Sequence, residues 1–114
     1  MTFEYKSEKK DKVVVLWLSG ELIDRNQAND LLAEAEELRE AGYVKYALDM
    51  TNLKYINSSG LNVLITLLTR ARKAGGDVVI ANVSKKVDEL LLITKLNTVF
   101  IIADSVDSAI SKLN

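Results

Sequence analysis

The residues of this sequence that could do chemistry are serines, asparagines and carboxylates at the ends of apolar segments. The tetrapeptide Asn57-Ser-Ser-Gly60 comes just before a helical pattern, and Glu21 and Asp24 follow an earlier apolar run. A phosphate on a serine at a helix start would face free backbone N–H groups and the positive end of the helix dipole. It would add about two negative charges, which is enough to weaken or strengthen the docking of a partner.

Each of these residues also has a purely structural interpretation. Asn and Ser are preferred N-cap residues, worth about 1 kcal/mol each, so Asn57, Ser58 and Ser59 could simply form a capping turn. Asp24 could cap the first helix in the same way. Gly60 could be required where a turn or a close backbone contact leaves no room for a side chain. From the residues alone, the capping and the phosphate interpretations both stay open.

The composition excludes most kinds of catalytic and metal centre. The chain has no histidine and no cysteine, which excludes disulfides, zinc and iron–sulfur sites, histidine-based triads and thiol nucleophiles. The sequence also lacks an Asp-rich calcium loop and a glycine-rich nucleotide-binding loop. Lys54 could assist a serine, but nothing in the pattern predicts that this lysine is buried. We therefore predict a protein with no cofactor, no bound metal and no enzymatic activity.

Charge and hydropathy limit the classes of partner. The chain carries 15 basic and 16 acidic residues, for a net charge of −1, and its basic residues are scattered. No basic stripe is available for a phosphate backbone, so we expect no direct binding to nucleic acid. The longest apolar runs fall far below the ~20 residues of a membrane span, and the N-terminus lacks a signal-peptide pattern. We expect a soluble, cytoplasmic protein that does not insert into membranes.

The elements that must position these side chains form one α/β domain over residues 1–114. A hairpin turn at residues 9–12 is followed by buried strands that alternate with helices, which demands crossover connections and a mainly parallel sheet. The predicted strands are residues 3–8, 13–18, 43–49, 78–81 and 100–103. The predicted helices are one from Arg25 to just before Gly42 and those over residues 58–74, 86–96 and 105–113.

The predicted helix over residues 58–74 has an apolar face and a second apolar pair. Leu61, Leu64, Ile65 and Leu68 have the spacing of a core-facing stripe. A separate i, i+4 pair lies off that stripe, and it belongs either to a helix buried over a broad arc or to an apolar docking patch next to the serines. The candidate partner-binding residues, which include that pair, are Glu21, Asp24, Leu61, Asn62, Val63, Thr66 and Leu67.

Four segments of the sequence resemble the anti-sigma factor antagonists of the STAS superfamily. They are Leu18-Ser-Gly-Glu-Leu-Ile-Asp24, Tyr46-Ala-Leu-Asp-Met-Thr51, Tyr55-Ile-Asn-Ser-Ser-Gly-Leu-Asn-Val-Leu64 and Gly75-Gly-Asp-Val-Val-Ile-Ala81. The resemblance runs through nearly the whole chain, with the elements in the same order. It implies a STAS-like fold, in which a mainly parallel central sheet carries an N-terminal hairpin strand and about four helices.

The resemblance also implies a function. Members of this bacterial family bind an anti-sigma factor when they are unphosphorylated, and they thereby free a sigma factor and regulate transcription. The anti-sigma factor is also a serine kinase, whose phosphorylation of the first motif serine abolishes binding until a phosphatase restores it. The matching phosphorylation site here is Ser58, and Asp24 or Glu21 matches an acidic residue that contacts the kinase. We expect a monomer or a weak dimer.

One departure from the family pattern falls beside the matching serine. Family members have Asp immediately before the phosphorylated serine, whereas this chain has Asn57. Asn keeps the capping geometry but removes a negative charge beside the reactive hydroxyl. A kinase that recognises the carboxylate would find a poor match in this chain. Repulsion between that carboxylate and a new phosphate would also be absent.

Two other functions stay open on the sequence. In a receiver-type signalling domain, Asp49 would accept the phosphate because it ends a predicted central strand. However, no acidic pair follows the first apolar strand, and Asp104 and Ser105 follow the last one in place of a lysine. The second alternative is a STAS-like scaffold that binds its partner without a serine switch, such as a subunit docked to a transporter.

Overall fold

A computed structural model describes residues 2–114 of the chain, and Met1, which begins the N-terminal stretch considered above, lies outside the described residues. The strands are β1 (Phe3–Lys10), β2 (Val13–Leu22), β3 (Lys45–Ile56), β4 (Asp77–Ala81) and β5 (Ile101–Ala103). The helices are α1 (Asn29–Glu40), α2 (Ser58–Lys73), α3 (Lys85–Ile93) and α4 (Val106–Leu113). Two short 3₁₀ turns cover Arg25–Ala28 and Leu96–Thr98.

The five strands form one sheet in the order β1-β2-β3-β4-β5. β1 pairs antiparallel with β2 through a two-residue turn at Asp11-Lys12, and the other neighbours are parallel. Each parallel neighbour is reached through a helix, as a parallel connection requires. The predicted fold class, a mainly parallel sheet with an N-terminal hairpin strand and four helices, is therefore confirmed.

β2 and β3 are longer than their apolar cores predicted. They continue to Leu22 and Ile56, and the pairing is kept by register shifts between Trp17 and Ser19 and between Gly20 and Glu21. Such bulges let a ladder continue through residues that do not alternate in polarity. Gly20 permits the bend with a φ of +87°, and a Cβ at this position would overlap the carbonyl oxygen of Thr2. As a result, the ends of the two strands lie side by side.

The sheet has a buried core on each face. Alternate β2 residues face opposite sides, so Val14 and Leu16 join the larger core, whereas Val13 and Val15 join the smaller one. Helices α1, α2 and α3 cover the larger core. α4 covers the smaller core, which contains its residues Ala109 and Leu113. Among residues 2–114, no helix is both long enough and apolar enough to cross a membrane.

Two predicted helices have different ends in the structure. The helix predicted from Arg25 is divided into a 3₁₀ turn and α1, because Asp24 caps the turn separately. The helix predicted over residues 86–96 ends at Ile93. After this helix, the chain changes direction at Lys95, which adopts a left-handed conformation with a φ of 63°.

A tyrosine joins β1 to α1. The Tyr5 hydroxyl donates a hydrogen bond of 2.8 Å to Oε1 of Glu34, and Ser7 donates a second one to Oε2. Burial, followed by the hydrogen bond to Glu34 and by its negative charge, raises the pKa of Tyr5 to about 12. The edge strand β1 is thus attached to α1 by the hydroxyl of Tyr5, whose neutral, protonated form is favoured.

This attachment predicts a dependence on alkaline pH. The pKa of Tyr5 in the folded chain is above the ordinary value of about 10, so its stabilising contribution is complete below pH ~10 and is lost as the pH rises towards ~12. Ultraviolet absorbance of tyrosinate should therefore show a step near pH ~12 that is smaller in Tyr5→Phe. Burial also raises the pKa of Tyr46, so some absorbance change above pH ~10 should remain in that variant. Loss of a step near pH ~10 in that variant would contradict the assignment.

Candidate functional site

The start of α2 is held by the side chain of Asn57. Its Oδ1 accepts a hydrogen bond of 3.0 Å from the backbone N–H of Gly60, which makes Asn57 the N-cap. Its Nδ2 donates a bond of 3.0 Å to the carbonyl oxygen of Ile23, in the loop after β2. One amide group therefore caps the helix and fixes it to the neighbouring loop. The cap was predicted, whereas the second bond has no counterpart in the local sequence.

Ser58 and Ser59 are the first two residues of α2, and both side chains are exposed. The cap position is filled by Asn57, so Ser59 does not have the capping role that was one of its predicted interpretations. The first N–H groups of a helix have no intrahelical acceptor, and they leave a positive partial charge at this end. The Ser58 hydroxyl is thus open to a modifying enzyme at a position that tolerates a negative charge.

Gly60 brings the backbone of α2 against the end of β2. It is buried, and a Cβ at this position would overlap the carbonyl oxygen of Leu22 and lie 2.5 Å from Cγ1 of Ile56. Any larger residue would push the helix away from the strands. This result confirms the predicted close backbone contact.

The acidic loop lies beside the same helix start. Asp24 is exposed, and its Oδ1 accepts a hydrogen bond of 2.9 Å from the N–H of Asn26. Gln27 completes a capping box, since its Oε1 accepts from the N–H groups of Ile23 and Asp24 at 2.9 and 3.0 Å. Asp24 therefore has the predicted capping role, in a loop that the Asn57–Ile23 bond holds next to Ser58. Glu21 is half-buried and is paired with Tyr55 across the strands.

The proposed apolar docking patch on α2 is wrong. Leu61, Val63 and Leu67 are only 3%, 0% and 3% exposed, so they belong to the core and cannot present a surface to a partner. The reason is that α2 packs against α1, the first 3₁₀ turn, β3 and β4, which covers its flanks as well as its inner face. Of the predicted partner-binding residues on this helix, Asn62 is exposed and Thr66 is half-buried.

The apolar surface that does lie beside Ser58 belongs to other elements. We call it the Ser58 groove, a cavity of about 330 Å³ between the end of β3 and α3. Tyr55, which is 49% exposed, is on one wall, and Leu90 is on the other. The sequence signal for the second wall is the run of apolar residues Leu90-Leu-Leu-Ile93 within the helix predicted over residues 86–96. The complete lining is Lys54, Tyr55, Ile56, Asn57, Ser58, Lys86, Val87 and Leu90.

Asp49 has a structural role. It is only 4% exposed, and its carboxylate accepts hydrogen bonds of 2.7 Å from Nδ2 of Asn82 and 2.9 Å from Oγ1 of Thr51. The N–H of Thr51 donates a third bond. A receiver-type phosphorylation site needs an open carboxylate oxygen, so this arrangement contradicts the receiver interpretation. Among residues 2–114, there is also no group of three or more acidic side chains placed to hold a metal ion.

A family comparison agrees with this geometry. Residues 4–109, which extend from β1 into the first half of α4, match the family described as the STAS domain. The chain belongs to the STAS domain family. The resemblance seen in the four sequence segments is thereby confirmed, and the sheet, the hairpin strand and the four helices are those of a STAS domain.

The relatives of this STAS domain carry related names. The Bordetella bronchiseptica protein BtrV, named as a candidate anti-sigma factor antagonist, is 28% identical over 102 residues, which are 90% of this chain and 87% of BtrV. The crystal structure of a candidate anti-sigma factor antagonist from Thermotoga maritima, TM1081, matches with a TM-score of 0.86 and 25% identity. That match covers 96% of this chain and 93% of TM1081.

A third comparison concerns the fold alone. The Bacillus cell fate determinant SpoIIAA, solved in its phosphorylated form, matches this STAS domain with a TM-score of 0.75 and 18% identity. The match covers 97% of this chain and all of the SpoIIAA chain. The same arrangement of sheet and helices is thus kept at low sequence identity.

The two hydrogen bonds of Asn57 predict a cost for Asn57→Asp. The carboxylate could still cap α2, but it could not donate to the Ile23 carbonyl and would place a negative charge against that oxygen. We expect the free energy of unfolding to fall by about 1–2 kcal/mol, with part of the loss offset by the helix dipole. Urea unfolding measures this change. Asn62→Asp, the same change at an exposed position of α2, should be nearly neutral, and equal effects of the two changes would contradict the role of Asn57.

Proposed function

We propose that this STAS domain is an anti-sigma factor antagonist that is switched by phosphorylation of Ser58. Unphosphorylated, it binds an anti-sigma factor that is also a serine kinase, and it releases that partner when Ser58 carries a phosphate. A phosphatase returns it to the binding form. The names of BtrV and TM1081 support the antagonist role, and the phosphorylated state of SpoIIAA supports the switch.

The observation that carries the proposal is the placement of the Ser58 hydroxyl. It is exposed at the first position of α2, after a cap that its neighbour Asn57 supplies. A phosphate there needs no rearrangement of the helix, because the helix dipole favours negative charge at this end. The modification therefore changes the surface and leaves the fold intact.

The same placement explains how a phosphate would release a partner. A partner that covers Ser58 must also approach Asp24 and Glu21, because the Asn57–Ile23 bond holds the start of α2 next to the end of β2 and the loop that follows it. Burying a doubly charged group under a partner is costly, and the new charge would repel any acidic group that a partner places there. Contacts that fit a hydroxyl are thus lost when the hydroxyl becomes a phosphate.

The chain acts in this proposal as a binding module of the bacterial cytoplasm. ATP and the catalytic groups belong to the partner kinase, so the domain itself performs no reaction. It contacts no nucleic acid directly and acts as a monomer or a weak dimer. Its partner surface consists of the exposed Asp24 and Asn62 and the half-buried Glu21 and Thr66, together with the Ser58 groove.

Phosphopeptide mass spectrometry on the protein from its own host, under growth and stress, tests the switch. We expect an acid-stable phosphate on Ser58 whose level changes between the two conditions. A phosphate confined to an acid-labile aspartyl group, or no phosphate in either condition, would contradict the switch. The second outcome would favour the unswitched scaffold.

Matched serine variants test the consequence for binding. Ser58→Ala should bind the host's anti-sigma factor in the presence of ATP as tightly as in its absence, whereas Ser59→Ala should be released on addition of ATP like the natural chain. Ser58→Asp should bind more weakly by roughly tenfold or more, which is a cost of about 1.4 kcal/mol or more for a new charge at a docking surface. Calorimetric titration measures these affinities, after thermal melts have shown that each variant is folded.

A further inference from the structure

The Ser58 groove contains two lysines from different elements. Lys54 lies near the end of the strand β3, and Lys86 lies in the first turn of α3. Both line the same cavity as Ser58, which has a volume of about 330 Å³. Both are exposed, and among residues 2–114 no ion pair engages either ammonium group. The groove therefore has two free positive charges beside the serine.

The other charged groups near the helix start, which include Glu21, Asp24 and Arg25, are not among the residues that line the groove. The Asp24 carboxylate accepts a hydrogen bond from Asn26, and the Arg25 guanidinium contacts Thr66 on α2 at 3.4 Å. Lys85, Asp88 and Glu89 are exposed on α3 but are not part of the lining. The charges that face the groove are thus those of Lys54 and Lys86.

We propose that Lys54 and Lys86 bind the phosphate of phosphorylated Ser58 within the same chain. The proposal rests on the proposed function, in which Ser58 is the modified residue. A lysine carries a compact positive charge on a flexible stem, so both ammonium groups can reach a phosphate that is attached to the same cavity. Hydrogen bonds between ammonium and phosphate are charge-assisted and stronger than neutral ones.

This arrangement gives the switch a second consequence. Before modification, the groove offers two positive charges and an apolar wall, which suit an acidic and partly apolar segment of a partner. After modification, about two negative charges neutralise the lysines internally. The phosphate therefore also withdraws the positive charges from the surface, and it joins the end of β3 to α3 across the groove.

The phosphate can be examined without any kinase. The full chain is made with phosphoserine incorporated at position 58 by an expanded genetic code, and the ³¹P chemical shift is followed against pH. The second pKa of a phosphoserine is ordinarily about 6, and two nearby cations favour the dianion and lower this pKa. In the double variant Lys54→Gln, Lys86→Gln, we expect the pKa of the phosphate to be raised by roughly half a pH unit or more.

Lys85→Gln is the matched control, because it removes the same charge from the neighbouring position of α3. It should move the pKa of the phosphate by less than a third of the change in the double variant. An unchanged pKa in the double variant, or an equal change per charge in Lys85→Gln, would overturn the proposal. Thermal melts of the unphosphorylated variants confirm that each one is folded.

The melting temperature of the phosphorylated chains is a second test of whether the lysines bind the phosphate. Phosphorylation should raise the melting temperature of the natural chain more than that of the double variant, because the bridge between β3 and α3 exists only in the former. Since the phosphate is installed during synthesis, an equal rise of the melting temperature in both chains overturns only the proposal that Lys54 and Lys86 bind the phosphate. Absence of phosphate on Ser58 in the host would instead overturn the proposed function.

Discussion

The parallel pairing of β2 with β3 is the constraint on which the site depends. The two strands stay in register through two bulges, as far as Leu22 and Ile56. Their ends therefore leave the sheet next to each other, and the loop after β2 meets the start of α2. Asn57 makes this meeting rigid, with one bond to Gly60 and one to Ile23. Gly60 allows it sterically, because the helix backbone can then touch the strand end.

Much of the fold could be predicted from local pattern. The short apolar runs bounded by glycine or polar residues lie within β2, β3, β4 and β5, and the helical spacing after Asn57 corresponds to α2. The ends of β2 and β3 could not be predicted, since polar residues there remain in the ladder through backbone bonds to a strand far away in sequence. Hydrophobic alternation cannot show a pairing that depends on the backbone alone.

The candidate site shows the same division between local and distant causes. The serine, its cap and the acidic loop have local sequence patterns, and the structure brings them together. The burial of Val63 and Leu67 depends on the helix and turn that cover the flanks of α2, which one helix's own spacing cannot show. The groove of Tyr55 and Leu90 was missed for a related reason, because its two walls are more than 30 residues apart in the chain.

The two cores of the sheet are also completed at different times. The larger core has contributions from α1, α2 and α3, whereas the helical cover of the smaller one comes from α4. Because α4 follows every strand in the sequence, the ribosome synthesises it after the surface that it covers. Until then, Val13, Val15 and Val79 form an apolar face on a nascent chain whose other face can already be packed. Such transient surfaces favour aggregation, and this one stays exposed until α4 has been synthesised and has packed against it.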